Sequence, residues 1–226
     1  MTFCQSLASL TLSSTIGFAS GCAAIPNSEV AAKPSLASQM RLVTVTLTDG
    51  GHTFCSGTWV SQSQILTAAH CVAELDAVTY KSPDSAEDGL AAVSVKDVTH
   101  DLAVLTAISG TKGRLHALAG SLPVAGDTVS AMGHPLGVLE YSYTEGQVSA
   151  IRTADSMSEI LSERWDSCRG CQLIQATTPI TPGNSGGGLF NQRGELVGVC
   201  SFTMFDPFTP IQNLNFFIPV SYAKLR

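Results

Sequence analysis

The stretch Gly183-Asn184-Ser185-Gly186-Gly187 places a serine among glycines near the end of a chain of 226 residues. Glycines on both sides allow a sharp turn and keep other side chains away from the hydroxyl, which is typical of an accessible nucleophile. A serine hydroxyl becomes a strong nucleophile only when an imidazole takes its proton and a carboxylate orients that imidazole. A histidine and an acid are therefore needed elsewhere in the chain.

Both partners precede the serine. The stretch Thr67-Ala68-Ala69-His70-Cys71 supplies a histidine, and Asp101 stands directly before Leu102-Ala103-Val104-Leu105. The Gly-x-Ser-x-Gly pattern also fits the nucleophile elbow of α/β-hydrolases, but there the histidine follows the serine. The five histidines of this chain all precede Ser185: His52, His70, His100, His116 and His134. The elbow is thereby excluded, and the order His, Asp, Ser remains.

These residues receive the roles that the chemistry requires. We expect His70 to act as general base and then general acid, Asp101 to orient it, and Ser185 to attack. The backbone N–H groups of Gly183 and Ser185 are expected to form the oxyanion hole. Taken alone, Asp101 also fits the cap of a strand and Ser185 an ordinary turn. The three together, in this order, favour catalysis.

Composition and charge limit the fold and the partners. The chain is 44% hydrophobic and 13% charged with 20 Gly and 10 Pro, which suits short strands joined by tight turns. The net charge of -6, without a cluster of Lys or Arg, argues against nucleic acid as a partner. Strands are predicted at residues 43–47, 54–60, 92–98, 102–107, 128–132, 146–151, 173–176, 195–202 and 215–220. The sequence therefore predicts an all-β domain, and the spacing of the strands fits either barrels or a sandwich.

The first 39 residues have a different pattern from the rest of the chain. Residues 1–22 resemble an export signal that ends in a lipoprotein processing site, with Cys22 as the lipidated residue. No Lys or Arg precedes Lys33, so a disordered tail stays open as the alternative. Residues 23–39 predict a flexible tether, and residues 40–226 the folded domain. We expect an extracytoplasmic location: periplasm, cell envelope or secreted.

The motifs around His70, Asp101 and Ser185 resemble those of the trypsin-like serine proteases, and the HtrA/Deg branch fits them best. Similar segments are Met132-Gly133-His134-Pro135-Leu136-Gly137, Gly146-Gln147-Val148-Ser149-Ala150, residues 175–187 and Asn215-Phe216-Phe217-Ile218-Pro219, so the resemblance spans residues 41 to 221. It implies two six-stranded antiparallel β-barrels of the chymotrypsin type with a short C-terminal helix and a site in the cleft between them. It also implies an endopeptidase that cleaves exported or misfolded polypeptides. HtrA-type proteases usually continue into PDZ modules, and we expect none because the sequence stops at Arg226.

The cysteines give further expectations. Cys55 and Cys71 match the disulfide that closes the histidine loop in the family. Cys168 and Cys171 form a CxxC pair, which fits a local disulfide, a redox pair or half of a zinc site. We favour a disulfide, and we expect neither a metal nor a cofactor. Cys200 is predicted to be a buried thiol, while its pairing with Cys168 or Cys171 stays open.

The expected specificity pocket contains no carboxylate. Its predicted members are Pro179, Cys200, Ser201, Phe202, Thr203 and Phe216. Because binding of Lys or Arg needs a buried acid, we predict cleavage after apolar residues. His100 is expected to face solvent, and His134 to be a turn residue. Two alternatives remain: a catalytically silent binding module with a protease fold, and a processing protease of a phage or virus.

Overall fold

The structure, a computed structural model, describes residues 34–83, 85–114, 116–157, 168, 170–204 and 213–225. The predicted signal-like segment with Cys22, and the first part of the predicted tether, lie outside these residues. No helix within the described ranges is both long and apolar enough to cross a membrane.

The described residues form one α-helix and twelve β-strands. They are α1 Leu36–Val43, β1 Thr44–Asp49, β2 His52–Trp59, β3 Gln64–Thr67, β4 Ala77–Lys81, β5 Gly89–Asp97, β6 Leu102–Ala107, β7 Thr128–Gly133, β8 Ser142–Thr153, β9 Gln172–Ala176, β10 Gly188–Asn191, β11 Leu196–Thr203 and β12 Asn215–Pro219. Short 3₁₀ turns lie at Ala69–Val72, Pro135–Gly137, Ala154–Met157 and Val220–Tyr222.

The strands close into two six-stranded barrels. The first has the order β1-β2-β3-β6-β5-β4, and the second β10-β11-β12-β9-β8-β7. Neighbouring strands pair antiparallel throughout both barrels. Closure leaves neither sheet with an exposed edge. The predicted fold class is confirmed.

Apolar side chains fill both barrels. Trp59 packs edge-to-face on Tyr80 with ring centroids 5.3 Å apart, and both rings are almost fully buried. The Tyr80 hydroxyl donates to the carbonyls of Ser109 and Thr111, so its one polar atom is satisfied. In the second barrel Phe217 is among the fully buried side chains. Burial of a ring of this size stabilises the fold by roughly 2 to 3 kcal/mol.

Short helical elements lie at both ends of the described domain. Helix α1 begins before Met40, within the predicted tether, because Ser35 caps it by accepting a hydrogen bond from the Ser38 amide. At the other end the predicted helix is only the 3₁₀ turn. Beyond that turn, Lys224 forms an ion pair with Asp97 at 2.7 Å, and we infer that this contact favours an extended end over further helix.

Candidate active site

His70 and Asp101 lie in direct contact. His70 belongs to the 3₁₀ turn after β3, and Asp101 to the turn before β6. The His70 ring nitrogen Nδ1 lies 3.0 Å from Asp101 Oδ1 and 2.9 Å from Oδ2. The backbone N–H of His70 also donates to Oδ1 at 3.0 Å. Because the carboxylate accepts from Nδ1–H, the other ring nitrogen Nε2 carries the lone pair that a general base needs.

A residue of the second barrel completes the surroundings of Asp101. The Ser201 hydroxyl donates to Asp101 Oδ2. Asp101 is 2% exposed, and its backbone is left-handed with φ 54°. A non-glycine residue in this conformation costs about 1 to 3 kcal/mol and persists only when its surroundings hold it. The three donors on the carboxylate supply that support.

Ser185 lies next to this pair, but its hydroxyl points to a different acceptor. The Ser185 Oγ–H donates to the Ser201 carbonyl at 3.4 Å. Within the part of the chain that the structure describes, no hydrogen bond joins Ser185 to His70. Nucleophile and base are often loosely aligned before a substrate is bound. Any proton transfer from Ser185 to His70 therefore requires the Ser185 hydroxyl to leave the Ser201 carbonyl first.

Two glycines around Ser185 are required by close packing. Gly183 and Gly186 have φ of 97° and 84°, which favour glycine. A Cβ on Gly186 would overlap the Thr67 hydroxyl and the Ser56 carbonyl, and one on Gly183 would overlap the His134 carbonyl. Among the described residues, no protein acceptor takes the amides of Gly183 and Ser185. Both amides are therefore free for a ligand oxygen.

The Gly183 carbonyl is held by a network that the sequence did not predict. The Ser56 hydroxyl donates to Gly183 O at 2.8 Å and lies 3.0 Å from His134 Nδ1. The His134 amide donates to the same hydroxyl at 3.1 Å. His134 does precede a turn, yet it is fully buried, and burial lowers the pKa of its imidazole to about 4. In the sequence, Pro135 indicates the turn after His134, but no pattern indicates that His134 is buried.

A cavity of about 560 Å³ opens beside Ser185. Its described lining is Ile180, Thr181, Pro182, Ser185, Ser201, Phe202 and Thr203, none of which carries a charged side chain. Three of the six predicted pocket residues, Ser201, Phe202 and Thr203, thus lie here. Pro179, Cys200 and Phe216 are not among the lining residues. Cys200 points into the second core, and Phe216 stacks on Phe202 with ring centroids 4.8 Å apart.

The five cysteines within the described residues form two disulfides and leave one thiol. Cys55 of β2 is bonded to Cys71 of the turn that carries His70, and Cys168 is bonded to Cys171. Cys200 is the free cysteine of the described residues, and burial raises the pKa of its thiol. The Cys55–Cys71 bridge anchors the turn next to His70, and in the chain-entropy model a bridge over this separation stabilises the folded chain by about 3 kcal/mol.

Two antiparallel barrels with a paired His and Asp beside a serine between glycines define the serine protease class of the trypsin type. The sequence model of the trypsin-like peptidase domain family matches residues 55–199 of this chain. The chain belongs to this family.

Similar proteins narrow the assignment to HtrA-like proteases. The chain is 33% identical over 170 residues to Protease Do-like 2, chloroplastic, of Arabidopsis thaliana, covering 73% of this chain and 26% of that protein. It is 33% identical over 165 residues to a probable periplasmic serine endoprotease DegP-like of Pseudomonas putida, covering 72% and 31%. For the serine protease HtrA-like of Staphylococcus aureus the identity is 30%, covering 71% and 20%. The chain thus spans a fifth to a third of these relatives' length.

A solved structure supports the fold alone. The inactive form of the Rv3671c protease from M. tuberculosis H37Rv, determined as a Ser343Ala mutant, matches with a TM-score of 0.68 at 18% identity. The match covers 82% of this chain and 85% of that one. The family match and the relatives above, rather than this structure, identify the chain as an HtrA-like member of the trypsin-like peptidases.

Proposed function

We propose that this chain is a serine endopeptidase in which His70, Asp101 and Ser185 form a catalytic triad. The observation that carries the proposal is the contact of His70 Nδ1 with both oxygens of a buried Asp101. A carboxylate so placed selects the Nδ1–H tautomer and stabilises the imidazolium that forms when the serine proton is taken. A partly exposed imidazole paired to a buried acid is the arrangement that a general base needs.

The reaction proceeds through an acyl-enzyme. After Ser185 Oγ turns from the Ser201 carbonyl towards His70 Nε2, it attacks the substrate carbonyl and gives its proton to His70. His70 then protonates the leaving amine, and a water repeats the sequence to release the acyl group. Asp101 stays ionised throughout.

The oxyanion hole is proposed at the amides of Gly183 and Ser185. Both are free of protein acceptors in the described structure. The bond from Ser56 to Gly183 O fixes the peptide group that follows Gly183, and we infer that this restrains the Gly183 loop. Loss of one donor from such a hole costs a factor of about 10² to 10³ in rate.

The cavity beside Ser185 is proposed to take an apolar side chain of the substrate. Ile180 and Phe202 offer it apolar walls, and its described lining carries no acid to pair with Lys or Arg. An unpaired cation buried there would lose its hydration without compensation. We therefore propose cleavage after aliphatic and other medium-sized apolar residues.

We propose that the protease acts outside the cytoplasm on exported or misfolded polypeptides. Disulfides persist in oxidising compartments, and two are present here. One relative's name includes the word periplasmic. The signal-like segment 1–22, lipidation of Cys22, and the division into tether and domain stay predictions.

Labelling with a fluorophosphonate probe tests the proposed chemistry. The full chain should be labelled, Ser185→Ala should not, and Ser149→Ala on the exposed face of β8 should be labelled as the wild type is. A folded wild type that is not labelled would point instead to a silent binding module.

Peptide substrates test the proposed specificity. In a series that varies only the residue before the scissile bond, Val, Leu and Phe should be cleaved at least tenfold faster than Arg, Lys or Asp. Cleavage after Arg at the rate for Leu would refute the apolar pocket and leave the triad untouched.

A further inference from the structure

A cluster of one histidine and two cysteines lies outside the proposed active site. His100 is in the turn between β5 and β6, and Cys168 and Cys171 precede β9. One ligand atom from each of the three lies within 4.8 Å of the other two. Histidine and a CxxC pair are the residue types that bind zinc in proteins. The proposed protease reaction uses none of them.

His100 is held in one orientation by its surroundings. Its ring nitrogen Nδ1 lies 3.1 Å from Asp97 Oδ2, and its amide donates to Asp97 Oδ1 at 3.2 Å. The ring also stacks on Tyr222 with centroids 4.2 Å apart. Because Nδ1–H donates to the carboxylate, Nε2 is left as the nitrogen that can bind a metal. A carboxylate behind a histidine is the usual support of a metal ligand.

The two cysteines are held by a separate set of contacts. Cys168 is 1% exposed and Cys171 7% exposed. The Cys171 amide donates to the Cys168 carbonyl at 3.0 Å, and the Ala154 amide donates to the Cys171 carbonyl at 2.8 Å. These backbone bonds do not involve the sulfurs, so we expect the turn to keep both thiols together after the disulfide is reduced.

We propose that the reduced chain binds one Zn²⁺ through Cys168 Sγ, Cys171 Sγ and His100 Nε2, with water in the fourth position. Zn–S and Zn–N bonds of about 2.3 and 2.0 Å place tetrahedral ligands about 3.5 to 3.8 Å apart. One ring nitrogen of His100 and the two sulfurs already lie within 4.8 Å of one another, and we infer that side-chain rotations bring them to that geometry. Two thiolates neutralise the charge of the ion.

The disulfide and the zinc site are alternative states of the same two sulfurs. A dithiol reductant attacks the Cys168–Cys171 bond, passes through a mixed disulfide and leaves as its own disulfide, having given two electrons and two protons. Zn²⁺ then displaces the two thiol protons as it binds. In an oxidising compartment the bridge prevails, and a reducing one opens the site.

A second group, Cys55, Cys71 and His70, has similar spacing but fits a metal less well. Cys55 is in a strand of the first barrel and Cys71 in the turn after β3, with 16 steps of chain between them. No short turn keeps that pair together once the bridge is reduced. The CxxC pair, in contrast, has the two-residue spacing of known zinc sites.

Metal titration of the full chain tests the proposal without reference to protease activity. The chain is reduced with a phosphine under anaerobic conditions, freed of metal with a chelator, and titrated with Co²⁺ and then Zn²⁺. We expect one equivalent of Co²⁺, a thiolate-to-cobalt charge-transfer band, visible bands of a tetrahedral ion, and displacement by Zn²⁺. The oxidised chain should show no such bands.

Variants assign the ligands. Cys171→Ser should weaken Zn²⁺ binding at least 100-fold and His100→Gln about 10- to 100-fold, while Cys200→Ser and His52→Gln should bind as the wild type does. His70→Ala removes the histidine of the second group, Cys55, Cys71 and His70, and should bind Zn²⁺ as tightly as the wild type does. Circular dichroism checks that each variant is folded. If Cys171→Ser unfolds, His100→Gln still tests the ligand assignment, because His100 is partly exposed and its substitution should leave the fold intact. Absence of metal binding by the reduced wild type, or its loss in His70→Ala alone, would overturn the proposal.

Discussion

Acidification should destabilise this fold through the buried imidazole of His134. Ser56 Oγ–H donates to Gly183 O, so His134 must donate to Ser56 from Nδ1, and its Nε2 carries a lone pair. That nitrogen is buried and has no partner in the described structure. Protonation would place a hydrogen on Nε2 that has no acceptor there, in addition to the Nδ1–H that Ser56 accepts. Burial therefore opposes the charged form of His134.

The size of the effect follows from the two pKa values. Burial lowers the pKa of His134 from 6.5 to about 4, so between these values the unfolded chain binds a proton that the folded chain does not. Stability is therefore complete above about pH 6.5 and falls as the pH drops. At about 1.4 kcal/mol per pKa unit, the loss is about 2 kcal/mol at pH 5 and approaches about 3 kcal/mol near pH 4.

Urea unfolding between about pH 7.5 and 4.5 measures this loss, with the intrinsic fluorescence of buried Trp59 as one reporter. Ser185→Ala serves as the background so that self-cleavage does not interfere. His134→Asn keeps an N–H that can reach Ser56 but cannot titrate, so its stability should fall about 2 kcal/mol less than that of the parent between pH 7.5 and 5.

The exposed His52 provides the control, because His52→Asn should leave the pH dependence unchanged. Burial also lowers the pKa of His116, which adds a loss in the same direction to every variant that retains it. The difference between the stability losses of the parent and of His134→Asn therefore gives the contribution of His134 alone. Equal losses in these two proteins would refute the assignment of the acid sensitivity to His134.

Three further predictions concern single side chains. Ser201→Ala removes a donor from the Asp101 carboxylate and should lower kcat tenfold or more, measured on a peptide ester. Gly186→Ala places a Cβ against the Thr67 hydroxyl at a left-handed backbone position. The free energy of unfolding, measured with urea, should fall by on the order of 3 kcal/mol. A fall of less than about 1 kcal/mol would contradict the close packing at Gly186. Cys200, buried with its pKa raised, should resist iodoacetamide in the native chain and react after denaturation, by mass spectrometry.

The alternating segments were sufficient to predict an all-β domain, and the two barrels were expected from the resemblance of the three motifs to those of trypsin-like proteases. Three strands were not predicted: Gln64–Thr67, Ala77–Lys81 and Gly188–Asn191. Each is only four or five residues long, too short for a two-residue period to stand out. They form as strands because each closed barrel supplies hydrogen-bond partners on both of their sides. Those partners come from distant parts of the chain, so a local pattern does not reveal them.

The partners of the candidate site were harder to predict than its principal residues. Ser201 was expected only in the pocket, yet it also donates to Asp101, which lies 100 positions earlier. His100 was expected to face solvent, but its ring stacks on Tyr222. No local pattern marks such contacts, since each joins two elements that only the tertiary fold brings together.

The two barrels stabilise each other's half of the site. Ser201 of the second barrel donates to Asp101 of the first, while Ser56 of the first donates to Gly183 of the second. The Ser56 amide also donates to the Ser185 carbonyl at 2.8 Å. A shift of one barrel against the other would therefore disturb the proposed base and the proposed oxyanion hole together, because each depends on a hydroxyl from across the cleft. Catalytic geometry in this fold is thus a property of the barrel contact, and a substitution far from Ser185 that loosens this contact should reduce turnover before it unfolds either barrel.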